Sequence, residues 1–481
     1  MAVPVLSVAQ MRQWEDASWN AGRSQTEVIN QAGEEVARVA LSLTREEDRI
    51  LILAGKGHNG DDARSAQPHL IGRRVKLLNV SDPSRILEEL GHLLDKRPSL
   101  VLDGLFGIGL SRQLDQHWAD LIERINSSGV PVLSVDVPSG LNADTGEPQN
   151  IAITAAVTVS FGAPKSGLLL PASHPFVGRL IIAPDIGLVP CPHSSELLWT
   201  TRQDFHGFPP PRRVDGHKGS FGHLAIFAGS EGFHGAAVLA SRGALRAQPG
   251  LVSVFCEKSV YVPIASQSQA AMVHPFSPFS PGTPVSSIPE NCTGLMIGPG
   301  LACPALGEDW KEFVNEQWQN SPIPVIVDAS ALDWIKPGPT PLNSRRVLTP
   351  HPGEAARLLG TKSTAVQENR LSALRSISAK YGNCWVVLKG HHTLIGRNSG
   401  EVFVNSSGDP YLAQGGSGDV LAGFLGGLLA QPKLQANPLK TIRYAVWAHG
   451  HAAETLTSAR RTWTVEDLLR QIGDIEELSP D

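Results

Sequence analysis

The run Gln414-Gly415-Gly416-Ser417-Gly418-Asp419-Val420-Leu421 sets three glycines ahead of an apolar, Gly-punctuated stretch, 420–430, whose pattern predicts a buried helix. Glycines at that point leave backbone N–H groups uncovered at the positive end of a helix. Such a cradle suits a phosphate or a phosphoryl group in transfer. Asp419 is the informative residue, because a carboxylate beside a phosphate site repels its ligand unless it takes a proton. Its natural work there is general base catalysis, removing the proton of a hydroxyl that attacks phosphorus. The same pattern also serves a helix N-cap aspartate after a flexible loop.

Other segments gather around that chemistry. Thr349-Pro350-His351-Pro352-Gly353-Glu354 follows the strand-like Arg346-Val347-Leu348 and precedes a helical stretch, 355–359. Its two prolines fix the backbone and hold His351 at a strand-to-helix corner, where ligand sites gather in α/β sheets. The apolar Trp385-Val386-Val387-Leu388 runs into Lys389-Gly390-His391-His392-Thr393, a turn able to bring a cation and free amides to a nucleotide phosphate. Ile297-Gly298-Pro299-Gly300 and Val325-Ile326-Val327-Asp328-Ala329 read as two more strands ending in special turns. Strand ends bearing Gly, Asp, His or Lys in one half of the chain point to one cleft.

The elements that must position these groups follow from periodicity. Helical patterns run over 7–20 and 26–43, with Ser7 and Thr26 as expected N-caps. Short apolar strands at 50–54, 75–80, 100–102, 132–135, 157–161 and 180–183 then alternate with helical segments. That rhythm predicts a mainly parallel sheet with helices on both faces. A boundary region at 190–213, ending in Pro209-Pro210-Pro211-Arg212-Arg213, breaks the alternation, and a second series starts at 223–228. The Pro/Ser-rich stretch 275–289 reads as an exposed loop. A length of 481 residues allows two or three domains, and 41% hydrophobic against 18% charged residues can build sizeable cores. A net charge of −5 gives no electrostatic case for nucleic acid or an anionic membrane. Five cysteines without a CxxC pair fit reduced thiols better than disulfides or zinc. Neither a signal-peptide pattern nor an apolar run of membrane-spanning length is read, so a cytoplasmic protein is expected.

In the order His217-Lys218-Gly219-Ser220-Phe221-Gly222, IGPG, VDA, LTPHPGE, LKG and GGSGDVL, the second half resembles the ADP/ATP-dependent NAD(P)H-hydrate dehydratases, which have a ribokinase-like fold. The first half resembles the NAD(P)H-hydrate epimerases often fused to them. It does so through Gly55-Lys56-Gly57-His58-Asn59-Gly60-Asp61-Asp62, Asp103-Gly104-Leu105-Phe106-Gly107-Ile108-Gly109 and Asp136-Val137-Pro138-Ser139-Gly140-Leu141-Asn142. The resemblance implies an α/β chain of two domains: a Rossmann-like three-layer domain over 1–200 and a ribokinase-like α/β/α domain over 205–478. It implies repair of NADH or NADPH hydrated at C6 of the nicotinamide ring. In the C-terminal half the implied base is Asp419, with hydrate contacts at Ala237, Gly300, His351 and Asp419. Nucleotide contacts are implied at Lys389, Gly390, His391, His392, Thr393 and the Gly415, Gly416, Ser417, Gly418 cradle. ADP or ATP is the implied co-substrate, with Mg²⁺ to offset phosphate charge. Asp409 stands where the family usually has Asn, and Gln248-Pro249 interrupts a run of small residues.

In the N-terminal half the implied catalytic aspartate is Asp136, with hydrate contacts at His58, Asn59, Gly60, Asp61, Asp62, Gly107, Ile108, Gly109 and Asp136. Asn59, Asp103 and Ser139 are the implied K⁺ ligands. His58, Asp61 and Ala63 depart from the family's Gly-x-Gly-Asn-Asn-Gly-Gly-Asp-Gly, and Ile108 replaces a Thr. Asp61 adds a Cβ and a negative charge where a pyrophosphate is expected, and Pro68 falls in the helix expected after the loop. Self-association into a homo-oligomer is implied as well. The rival reading is a small-molecule kinase on the same fold, of hydroxymethylpyrimidine or thiazole type, with a non-catalytic nucleotide-binding or scaffold module in front.

Overall fold

The computed structural model describes residues 2–278, 288–341, 345–460 and 462–474. Positions 279–287 of the expected 275–289 loop lie outside the described residues. The chain divides into two compact units, Val3–Trp199 and the residues from Thr200 onward together with Ala2.

In the first unit the parallel strands Arg74–Asn79, Arg49–Ala54, Leu100–Gly104, Val132–Val135, Val157–Phe161 and Arg179–Ala183 lie side by side in that order. Strands such as Arg49–Ala54 are apolar throughout because both faces are covered, as a parallel sheet requires. On one face the helix Gln25–Leu43 buries Val28, Ala32, Val36, Val39 and Ala40 along one stripe. On the other, Pro83–Asp95 and Gln116–Asn126 bury Leu90, Leu94, Leu121, Ile122 and Ile125. Ser7 caps the helix Val8–Asn20 through a capping box with Gln10. Gln25–Leu43 is capped by Ser24, not by the expected Thr26, which lies inside its first turn. Pro68 does not sit in a helix interior. The helix His58–Ala66 ends before it, and Pro68 enters the short turn Gln67–His69 at a position that needs no N–H.

In the second unit the strand order is Val402–Val404, Leu394–Gly396, Trp385–Leu388, Arg346–Leu348, Val325–Val327, Gly294–Ile297, His223–Phe227, Leu251–Cys256 and Met272–Pro275. Pairing is parallel from Trp385–Leu388 onward, with the first two strands attached antiparallel. The Gly-punctuated stretch is the helix Ser417–Leu429, and its glycines have a packing reason. A Cβ at Gly423 would lie 2.0 Å from the Ala240 carbonyl oxygen, and one at Gly243 would lie 2.5 Å from that of Val420. Small residues on both sides let this helix approach His234–Arg246 backbone to backbone.

Gln248 follows the end of His234–Arg246 with φ of +56°, a left-handed conformation on an exposed residue where the resemblance implies a run of small residues. The departure therefore strains the backbone at this position. Gln248→Gly is expected to stabilise this unit by about 1 kcal/mol, read as a higher denaturant midpoint at unchanged slope.

Candidate functional site

Neighbouring parallel strands of the second unit end along one sheet edge, and the residues just past their apolar ends include Gly298, Asp328, Thr349 and Lys389. Gly298, with φ of +133°, packs so closely that a Cβ would sit 1.8 Å from the Asp328 carbonyl oxygen. This fixes the backbone of Asp328, whose Oδ1 accepts hydrogen bonds from Thr349 Oγ1 at 2.7 Å and Lys389 Nζ at 2.8 Å. Lys389 Nζ also lies 3.8 Å from Glu354 Oε2. A Cβ on Gly418 would be 3.5 Å from that ammonium, which therefore stands against the first turn of Ser417–Leu429.

Asp419, in the same turn, shares this field. Burial first, then the Asp328 and Glu354 carboxylates, push its carboxyl up to about 7, with Lys389 opposing them. Burial would lower the Lys389 ammonium, but Asp328, Glu354 and Asp419 hold it above its ordinary value. Gly416 enters the left-handed region at φ of +93° as the helix N-cap, and Gly415 has open space before it. His449 locks the turn from the helix Pro438–Ala459. Its Nε2 lies 3.0 Å from the Ser417 carbonyl, and burial pushes it down to about 4, so the neutral ring donates there.

His351 caps the helix Pro352–Leu359: its Nδ1 accepts from the Gly353 and Glu354 amides at 3.0 and 3.3 Å. Its own amide donates to Glu354 Oε2 at 2.7 Å, and the exposed ring keeps Nε2 at the corner. The turn after Lys389 is shaped by Arg370, which donates to the carbonyls of Leu388, Lys389, His391 and His392. Gly390 and His392 have positive φ there, and Thr393 Oγ1 closes the turn on the Gly390 carbonyl at 3.0 Å. Gly300 is left-handed, with its carbonyl held by Ser230 Oγ at 2.6 Å, and Ala237 is wholly buried in His234–Arg246. Asp409 spends its carboxylate on capping the turn Pro410–Leu412, accepting from the Tyr411 amide at 2.9 Å. Sequence reasoning assigned no role to Arg370 or His449, whose partners are distant in the chain.

The first unit holds a cavity of about 840 Å³ at its sheet edge. Lys56, His58, Asn59 and Asp62 line it, as do Gly107, Ile108, Gly109 and Asp136. Gly60 and Asp61 do not. Gly60 is buried where a Cβ would meet the Gly55 carbonyl at 2.1 Å, so its role is packing. Asp61 pairs with Arg64 at 2.8 Å, and Arg64 also binds the Gly55 carbonyl. The charge expected to oppose a pyrophosphate is thus neutralised within its own helix. The expected 55–62 loop is also shorter, because the helix begins at His58 and carries Asn59 and Asp62.

Asp103, wholly buried, accepts from Ser139 Oγ at 2.5 Å, the Ser139 amide at 2.9 Å and Ser134 Oγ at 2.8 Å. Burial raises its carboxyl above the usual range, and those hydrogen bonds pull against the rise. Asn59 Nδ2 donates to the Phe106 carbonyl at 2.9 Å, leaving Oδ1 buried with no hydrogen-bond partner. Asp136 has φ of +63° and bonds a residue the sequence did not flag, Lys165, at 2.5 Å. The Lys165 ammonium is buried and also reaches Ser160 Oγ at 3.0 Å and the Phe161 carbonyl at 2.9 Å. Glu15, on Val8–Asn20, is a second cavity residue that no motif announced. Among the described residues no group of three or more His, Cys, Asp and Glu side chains could hold a metal ion. No helix among them is long and apolar enough to cross a membrane.

A family model described as NAD(P)H-hydrate dehydratase matches residues 224–474, and one described as YjeF-related protein N-terminus matches 25–167. The chain is 33% identical to a bifunctional NAD(P)H-hydrate repair enzyme of Coxiella burnetii, over 92% of this chain and 93% of the relative. Identity to the enzyme of the same name from Gloeobacter violaceus is also 33%, over 100% and 99% of the two chains. Among solved structures, a ribokinase-like superfamily protein from Enterococcus faecalis superposes with a TM-score of 0.51 at 26% identity, covering 58% of this chain and 95% of its own.

The Lys165–Asp136 pair is buried enough that removing one partner strands the other charge. Lys165→Met is expected to cost the first unit about 3–5 kcal/mol, measured by chemical denaturation.

Proposed function

Because the chain belongs to the bifunctional NAD(P)H-hydrate repair enzymes, we propose that its C-terminal unit dehydrates the S-hydrate of NADH or NADPH at the expense of ADP or ATP, and that its N-terminal unit interconverts the R and S hydrates. The observation that carries the first part is Asp419, poised near neutrality beside the Lys389 ammonium at the mouth of a glycine cradle. A hydroxyl is a poor leaving group. Asp419 takes its proton while the oxygen attacks the terminal phosphorus of the nucleotide, and the amides of Gly415 to Gly418 meet the charge on the phosphoryl oxygens. The ring nitrogen then expels phosphate from C6, and loss of a proton from C5 restores the dihydronicotinamide. Ala237, Gly300 and His351 are the proposed hydrate contacts, and the Lys389–Thr393 turn the nucleotide contact.

Three carboxylates around one ammonium leave an excess of negative charge, so a nucleotide phosphate needs an accompanying cation. One or two of these carboxylates, together with the substrate phosphates, would hold Mg²⁺, which would lower the phosphate charge when bound. In the N-terminal unit the orphaned Asn59 Oδ1, the Asp103 carboxylate and the Ser139 hydroxyl form an oxygen set suited to K⁺. That cation would supply the charge that the buried Asp103 lacks. Neutralisation of Asp61 by Arg64 supports an active epimerase. Five free cysteines support a reducing, cytoplasmic setting. Self-association is part of the proposal, and sedimentation tests it.

Asp419 acts only when deprotonated, so dehydration should rise with pH through about 7 and level off above it. Asp419→Asn should lower kcat by about 10²–10⁴-fold while calorimetry still shows nucleotide binding. A variant with near-normal rate removes Asp419 from the mechanism. Exchanging K⁺ for tetramethylammonium should slow R-to-S conversion and lower the melting temperature of wild type, but change neither in Asn59→Ala. An equal response of both proteins argues against the cation site.

A further inference from the structure

Inverting a carbon stereocentre sets a demand that one aspartate does not meet. The carbon passes through a planar state, the hydroxyl leaves from one face and oxygen returns to the other, so proton-transferring groups are needed on two sides. Asp136 reaches the cavity from the end of Val132–Val135, and its Oδ1 is taken up by Lys165 Nζ, Ser160 Oγ and the Phe161 amide. A separate element brings a second carboxyl to the same cavity: Glu15, on Val8–Asn20, upstream of the matched segment 25–167.

Glu15 is held on a well-fixed helix. Ser7 caps it, the Val8 amide donates to Asp144 Oδ1 at 2.8 Å, and Met11, Trp14 and Ser18 are buried beneath it. Trp14 Nε1 donates to the Val189 carbonyl at 2.7 Å. Burial first, then the Asp136 charge, raise the Glu15 carboxyl above its ordinary range. Asp16 adds to this, while Lys165 and His58 oppose it. Arg12 and Asp62 also face the cavity, and Asp62 is itself raised, by burial and then by Asp136, Asp61 and Glu15. The Glu15 carboxyl faces the cavity with its proton affinity raised, whereas Asp136 is engaged in an ion pair with Lys165.

Resting on the epimerase reading of this unit, we propose that Glu15 is the second proton-transferring residue of the epimerisation, acting on one face of the hydrated ring while Asp136 acts on the other. Glu15 gives its proton to the C6 hydroxyl. The C6–O bond breaks, water leaves with the bonding pair, and the N1 lone pair forms N1=C6. Water then bonds to C6 from the opposite face, returning the electron pair to N1 and its proton to the Asp136 carboxylate. Proton exchange with solvent, Asp136 releasing one proton and Glu15 taking one up, restores both for the next turnover, and the reverse conversion uses the two residues in exchanged roles.

The test uses the full chain and compares wild type, Glu15→Gln and Glu15→Asp for R-to-S conversion, with dehydration of pure S-hydrate by the same preparations as the control for folding. Wild-type kcat should fall as pH rises through the Glu15 titration, because the proton donor is lost. Glu15→Gln should lower kcat by about 10²–10⁴-fold at unchanged KM and abolish that alkaline limb, and Glu15→Asp should restore part of the rate with the limb present. In H₂¹⁸O the S-hydrate formed should carry solvent oxygen. A Glu15→Gln variant that keeps its kcat, changes only KM or retains the alkaline limb overturns the proposal, as does full retention of the original oxygen. Wild type that leaves the R-hydrate unconverted overturns the epimerase reading and this proposal together.

Discussion

The Lys389 ammonium is the interaction on which the C-terminal site depends. It lies within reach of Asp328 and Glu354 and against the turn that carries Asp419, and these groups come from four separate segments of the chain. Without a cation at that point, three half-buried or buried carboxylates would repel one another along one sheet edge. With it, the cluster is stable enough to exist and still leaves Asp419 poised near neutrality, where a base both accepts and releases a proton readily. The glycine seam with His234–Arg246 serves the same end, because backbone contact fixes where the helix begins and so where Asp419 stands.

The N-terminal site uses the same device with the signs distributed differently. Lys165 takes one oxygen of Asp136 and commits it, while Glu15 and Asp62 have no such partner and are pushed toward the protonated form. Carboxyls sharing one cavity thereby stand in different surroundings, which is how a site obtains an acid and a base from one side-chain chemistry. Asp61 pairs with Arg64, one helical turn away, and its charge still adds to the rise at Asp62.

Much of this was legible in the sequence. The strands at 132–135 and 157–161 fall where the apolar runs placed them, since a strand buried on both faces has little freedom in its composition. The Gly-rich run, LTPHPGE and VDA carry their chemistry in consecutive residues and were found. Lys165, Glu15, Arg370 and His449 were not, because each acts on a partner far along the chain and stands in an unremarkable segment. The cap at Ser24 rather than Thr26, and the pairing of Asp61, depended on where a helix starts within a residue or two. Periodicity does not resolve that, and side-chain geometry does.

On the proposed mechanism, phosphorylation at the C-terminal site serves elimination. Its most direct test follows the nucleotide, free phosphate and the absorbance of the dihydronicotinamide ring together when purified protein meets the S-hydrate with ADP or ATP. One phosphate released and one dihydronicotinamide restored are expected for each nucleotide consumed. Accumulation of a phosphorylated hydrate without ring absorbance, or consumption of neither substrate, would contradict it.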